Sequence, residues 1–263
     1  MPFPERKRVI YKKNPLERVI CQFRFPPILK IETEVPAAFQ DKIRHDFLNF
    51  IEKSEFKVEF PINSVGQVAP EIPGQVVQSI SKNHEFTSEN EEWKINLTRS
   101  FIAMTSMKYT RWEEFKRNLS IPFDAFLEIY SPEYFPRIGL RYIDIFKRSE
   151  LGLEGVSWNE LLQPYVLGML ATKDVGQNVE GYESKNEIKL EDGQSTVRII
   201  TKLIELSDTS EICFVIDSDF FTTIRIDIDD AIKKLDYFNT RGSRLIQWCI
   251  TERLHNAMEP QTL

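Results

Sequence analysis

The chain predicts an α+β fold made of two similar β-α-β-β-β-α halves, with antiparallel sheets each covered by helices on one face. Three observations carry this reading. Strand-like segments come in consecutive runs joined by turns instead of alternating singly with helices, which excludes a doubly wound parallel sheet. The order strand, helix, three strands, helix occurs twice, with corresponding elements roughly 120 residues apart, as an internal duplication would place them. The composition, 263 residues with 41% hydrophobic and 28% charged, suits a packed core without metal or disulfide staples. The expected halves are residues 1–134 and 135–263, forming one pseudo-duplicated unit.

The first strand is expected over Glu17 to Phe25, where Val19, Cys21, Phe23 and Phe25 alternate with Arg18, Ile20, Gln22 and Arg24. Pro26-Pro27 ends it. A helix follows from about Pro36, with Val35, Phe39, Ile43, Phe47, Phe50 and Ile51 on one stripe. The Pro- and Gly-punctuated stretch Pro61 to Gly74 reads as an excursion. Strands are then expected over Val76 to Phe86, Glu92 to Thr98 and Phe101 to Tyr109. Thr110-Arg111-Trp112-Glu113 has the form of a capping box. Ser120-Ile121-Pro122 should interrupt the helix it opens, because proline lacks the amide that continues the ladder, so Phe123 to Tyr130 is either a continuation at an angle or a second helix.

The second half restarts with a strand over Arg137 to Lys147. Ser157-Trp158-Asn159-Glu160 is another capping box, opening a helix with Trp158, Leu161, Leu162, Tyr165, Val166 and Met169 on its stripe. Strands follow over Tyr182 to Leu190, Gln194 to Leu206 and Glu211 to Thr222, the first two joined by a hairpin at Glu191-Asp192-Gly193-Gln194. A long terminal helix, about Ile228 to Met258, has a candidate bend at Gly242. Strands apolar on both faces, around Leu140 to Ile145 and Ile199 to Ile204, suggest a central position or a face that meets another subunit.

Several function classes are excluded or disfavoured by what the chain lacks. Cys21, Cys213 and Cys249 are far apart in apolar runs, so they read as buried small hydrophobes and point to a cytoplasmic location. No apolar run reaches membrane-spanning length. A net charge of −6 weighs against nucleic-acid binding, with Arg6, Lys7, Arg8, Lys12 and Lys13 as one local basic cluster. No phosphate loop, dinucleotide fingerprint, nucleophile elbow or zinc-ligand spacing occurs, and His45, His84 and His255 are isolated. The expectation is a protein with no cofactor and no catalytic apparatus.

Two clusters stand out for chemistry. Asp217 and Asp219, two apart on a strand, point to one face and could hold Mg²⁺ or Ca²⁺; the alternative is a solvated strand end. Arg24 and Arg141 occupy similar places in the first strand of each half and, with Tyr142 and Asp144, form a candidate anion or small-molecule site; the alternative is a structural ion pair. Trp112, Trp158 and Trp248 on helix stripes belong to the core or line a pocket.

The sequence resembles a sporadically distributed family of uncharacterised bacterial and archaeal proteins of about this length. The resemblance rests on Tyr11 with Asn14-Pro15-Leu16-Glu17-Arg18-Val19-Ile20, on Arg24-Phe25-Pro26, and on Tyr109 with Trp112-Glu113-Glu114-Phe115. It rests further on Gly139-Leu140-Arg141-Tyr142-Ile143-Asp144, where the family's more usual residue is Asn in place of Asp144, and on Ile250-Thr251-Glu252. The resemblance implies a sensor or adaptor of the kind found in phage-defence clusters, working through a protein partner or self-association. Beside that reading stand a small-molecule or anion sensor with its site between the halves, and a metal-dependent hydrolase using Asp217 and Asp219.

Overall fold

A computed structural model describes residues 3–59, 77–172 and 174–262; the expected excursion at Pro61 to Gly74 lies outside the described residues. The central feature is one nine-stranded antiparallel sheet. Its strands are β2 (Leu16–Arg24), β3 (Asn49–Glu59), β4 (Val77–Thr87), β5 (Trp93–Thr98) and β6 (Phe101–Ser106), then β7 (Arg137–Phe146), β8 (Glu183–Lys189), β9 (Ser195–Glu205) and β10 (Ile212–Thr222). They lie in the order β3-β4-β5-β6-β2-β7-β10-β9-β8. The strands β2 and β7 meet at the centre, with Cys21 opposite Leu140 and Phe23 opposite Ile138.

Strand alternation sends one set of side chains to the helix-covered face. Val19, Cys21 and Phe23 of β2, Ile138, Leu140 and Phe146 of β7, and Phe214, Ile216 and Phe220 of β10 are all buried there. Two nineteen-residue helices, α3 (Trp112–Tyr130) and α7 (Ala231–Cys249), supply much of the opposing layer. Phe123 of α3 packs 4.6 Å from Phe23, ring centre to ring centre, and Phe126 lies 4.7 Å from Phe25. Asp236 of α7 ties the helices together, accepting from the Trp112 indole at 2.6 Å and from Lys116 at 3.0 Å.

Shorter helices complete the fold: α1 (Lys30–Thr33), α2 (Ala37–Ile43), α4 (Arg148–Leu151), α5 (Trp158–Leu161), α6 (Pro164–Leu167) and α8 (Glu252–Ala257). The N-terminal segment is a strap. Phe3 is buried 5.4 Å from the Trp248 ring, and β1 (Val9–Tyr11) pairs with β11 (Pro260–Thr262) at the other end of the chain. Its basic residues are partly absorbed: Arg8 pairs with Glu113, and Lys12 and Lys13 both reach Glu259 at 3.2 Å. Among the described residues, no helix is long and apolar enough to cross a membrane.

Several expected elements differ. The helix expected from Pro36 through Ile51 ends at Ile43, and Phe50 and Ile51 belong to β3. Their spacing fits a helix, but pairing with β4 places Phe50 opposite Phe86, rings 5.0 Å apart, and that tertiary contact decides. Helix α3 runs through Pro122, because Leu119, Phe123 and Phe126 are buried along one stripe and their packing outweighs a lost amide bond. Thr110 does not cap it; Arg111 is the first flanking residue, the Thr110 hydroxyl bonds Glu114, and Glu113 is held by Arg8.

The helix expected from Trp158 to Met169 is broken after Leu161, where Leu162 bridges to Ile250 and Pro164 starts a new turn. Tyr165 and Met169 are exposed as a result. Ser157 does cap the first turn, accepting from the Asn159 amide. The terminal helix is interrupted at Ile250, and Thr251 caps α8 through the Leu254 amide. Gly242 lies inside the unbroken α7; a Cβ there would stand 2.8 Å from Cε2 of Tyr142, so glycine serves the close approach of a ring to the helix. The Gly193 hairpin forms as expected, with φ of 65°.

Candidate functional site

Strand parity divides the residues singled out from the sequence. Arg24, Arg141, Asp217 and Asp219 project from one face of the sheet, whereas Tyr142 and Asp144 project from the helix-covered face. On the first face the charges satisfy one another. The Arg141 guanidinium grips Asp217 with bonds of 2.7 and 2.5 Å, and Arg137 donates to Asp219 at 3.0 Å and to Gln22 at 3.0 Å. Arg24 donates to the same Gln22 at 3.3 Å. The Phe221 ring lies under two guanidiniums, Arg137 at 5.1 Å and Arg198 at 5.4 Å. Burial pushes the Asp219 carboxyl up, while the arginines around it pull it down. Among the described residues, no group of three or more His, Cys, Asp or Glu is placed to hold a metal ion.

Tyr142 and Asp144 instead line a cavity of about 90 Å³ where the strap, β7, β10 and α7 meet. Each wall has a sequence reason. The strap contributes Arg8, Tyr11 and Asn14, held down by the pairing of β1 with β11, and Leu16 comes from the start of β2. The β6–α3 connection contributes Tyr109 and Arg111; Asn14 fixes it by donating to the Tyr109 carbonyl at 3.1 Å. Helix α7 presents Asn239, Gly242, Ile246 and Gln247, and the missing side chain of Gly242 makes room for the Tyr142 ring.

The three tyrosines are fixed. Tyr142 donates to Asn239 at 3.0 Å, the Tyr11 hydroxyl meets Nδ1 of His255 at 2.8 Å, and the Tyr109 and Tyr142 rings meet edge to face, centres 6.3 Å apart. Burial raises the phenols of Tyr11, Tyr109 and Tyr142, so all three stay neutral.

Asp144 is the anomaly. It is 4% exposed, and its carboxyl is pushed up to about 8 by burial first and by the charge of Asp217 second, with no hydrogen bond acting to lower it. Buried carboxyls are ordinarily paired or hydrogen-bonded. The nearby donors are committed: Arg8 forks onto Glu113 at 2.5 and 2.9 Å, and Tyr142 donates to Asn239.

Sequence reasoning named Tyr142 and Asp144 but missed the walls that face them. Tyr11, Asn14, Leu16, Tyr109, Tyr142 and Asp144 come from three separate stretches of sequence, and all six line this cavity. The aromatic candidates do not enter it. Trp112 stacks on Phe115, Trp158 packs on Phe214 and Trp248 lies between Phe3 and Tyr165. The three cysteines are free and buried, and burial pushes the thiols of Cys21 and Cys213 up to about 12 and about 11. No protein-family model matches the chain, and no curated protein matches it.

Proposed function

We propose that this protein is a non-catalytic small-molecule sensor whose ligand sits in the cavity between the strap, β7 and α7. The observation that carries the reading is the buried Asp144 carboxyl, without a hydrogen-bonding partner, facing a cavity rimmed by fixed tyrosines. A protein tolerates such a group where a ligand completes it. The neutral tyrosines and committed donors offer shape and hydrogen bonding; they supply no activated nucleophile or metal centre.

The cavity lies between residues from both expected halves, 1–134 and 135–263. Duplication of those halves is part of the proposal. It is supported by the flanking of β2 by β6 and of β7 by β10, by the meanders β4-β5-β6 and β8-β9-β10, and by the equal lengths of α3 and α7. A ligand at their junction would couple one half to the other.

A thermal-shift screen with small polar aromatic fragments tests the reading, run on the wild type and on Ser243→Trp, which fills the cavity from α7. Fragments that raise the Tm of the wild type and not of the variant support it. Fragments that act equally on both proteins, or on neither, contradict it.

A second reading, docking of a protein partner, is favoured by Leu29, Val35, Leu48, Phe50 and Ile51, large apolar side chains exposed around α1, α2 and β3. It accords with the adaptor role and defence-cluster setting that the family resemblance implies, and the same partner would receive the sensor's signal. Size-exclusion chromatography with light scattering tests for self-association through this region: a monomer whose mass Phe50→Glu leaves unchanged contradicts it.

A further inference from the structure

We propose that the ligand of this cavity presents a protonated amine, which Asp144 receives as its counter-ion. This rests on the reading of the cavity as a small-molecule site and adds the chemical class of what binds there.

The argument is a census of donors and acceptors. Asp144 can accept about four hydrogen bonds when ionised, and nothing in the cavity gives it one. Three of the polar groups beside it are spoken for: the Tyr142 hydroxyl on Asn239, the Tyr11 hydroxyl on His255, the Gln247 amide on the Lys7 and Ser243 carbonyls. A ligand that brings donors therefore completes the ionised carboxylate. An ammonium group brings three, with the charge that a buried carboxylate lacks. Tyr11, Tyr109 and Tyr142 line the same space, and aromatic walls favour an organic cation through their ring quadrupoles.

An anionic ligand is the opposite case. Arg8, the basic residue of the strap that lines the cavity, is already neutralised by Glu113, and once Asp144 ionises, near pH 8, an anion reaching the floor would meet a like charge. The charged and titratable groups around the carboxyl are Arg8 and Tyr11 from the strap, Tyr109 and Arg111 from the β6–α3 connection, Tyr142 on its own strand and Cys249 on α7, with Asp217 of β10 acting from the opposite face of the sheet. Because burial keeps Asp144 protonated at neutral pH, binding of an ammonium ion releases one proton to solvent. Affinity for an amine therefore rises with pH up to about 8.

The test uses benzylamine, its neutral isostere benzyl alcohol, and benzoate, each titrated calorimetrically at pH 8 into the wild type and Asp144→Asn. The asparagine variant keeps the side-chain shape and removes the charge, and circular dichroism establishes that it is folded. The expected result is benzylamine binding the wild type at least about tenfold more tightly than benzyl alcohol, with the preference abolished in Asp144→Asn. Equal or tighter binding of benzyl alcohol or benzoate to the wild type overturns the amine assignment and leaves the cavity standing as a binding site. Persistence of the amine preference in Asp144→Asn overturns the role of Asp144. Binding of none of the three overturns the inference outright, while the fragment screen on Ser243→Trp judges the cavity separately.

Discussion

Replacing Asp144 with asparagine should stabilise the ligand-free protein at neutral pH, and by an amount that depends on pH in a defined way. In the unfolded chain the carboxyl has its ordinary pKa of 3.8, whereas burial against β10 and α7 raises it to about 8 in the fold. Below about pH 4 both states hold the proton and the group contributes nothing. Between about 4 and 8 the unfolded chain is ionised while the folded one is not, so stability falls as pH rises, by about 1.4 kcal/mol per unit. At pH 7 the accumulated loss is on the order of 4 kcal/mol, and above about pH 8 it levels off. Asparagine has the same outline and never ionises.

Urea unfolding followed by far-ultraviolet circular dichroism, at steps from pH 4 to pH 8.5, reads the difference between the two proteins. Other titrating groups cancel in that difference. The two curves should coincide near pH 4 and diverge progressively, with the variant the more stable. A variant less stable than the wild type at pH 7, or a gap that does not change with pH, would refute the assignment of Asp144 as a buried carboxyl without a partner.

Further substitutions probe the frame around the site. Gly242→Ala places a Cβ 2.8 Å from the Tyr142 ring, which Tyr109 and Phe220 confine; the overpacking costs about 1–3 kcal/mol, more than the gain in helix propensity, and lowers the thermal midpoint. Gly193→Ala forces a side chain onto a φ of 65° and should cost about 1–2 kcal/mol, whereas Gly181→Ala, with open space around it, stays within about 0.5 kcal/mol of the wild type by the same urea assay. Arg141→Ala strands the largely buried Asp217 and should cost about 1–3 kcal/mol; adding Asp217→Asn should recover part of the loss, and a double-mutant cycle measures the coupling.

How far the fold could be read depended on whether local pattern and tertiary pairing agreed. Strands β2, β5, β7, β9 and β10 alternate in sequence and were legible within a residue or two. The segment after α2 was not: Phe47, Phe50 and Ile51 satisfy helical spacing, and only the pairing of β3 with β4 shows that the last two belong to a strand. Pro122 misleads in the other direction, since a helix break predicted by local chemistry is overridden by the packing of Leu119, Phe123 and Phe126.

The site was half legible. Arg141, Tyr142 and Asp144 are adjacent in sequence, but period-two alternation alone sends Arg141 to the face opposite the other two. A structural ion pair was one alternative for Arg141, but its partner, Asp217, had been read as a metal candidate and only the pairing of β7 with β10 brings the two together. The strap and Gly242 could not be attached to Asp144 from the sequence, because they reach it only after β1 has paired with β11 and Tyr142 has packed against α7.

The claim that most needs testing is that the cavity above Asp144 receives a ligand. A crystal soaked with a set of small amines and neutral aromatics decides it by showing where they bind. The account predicts a bound amine with its nitrogen within hydrogen-bonding distance of the Asp144 carboxylate and its ring among Tyr11, Tyr109 and Tyr142. Fragments bound only elsewhere on the protein, with Asp144 still unpartnered, would contradict it.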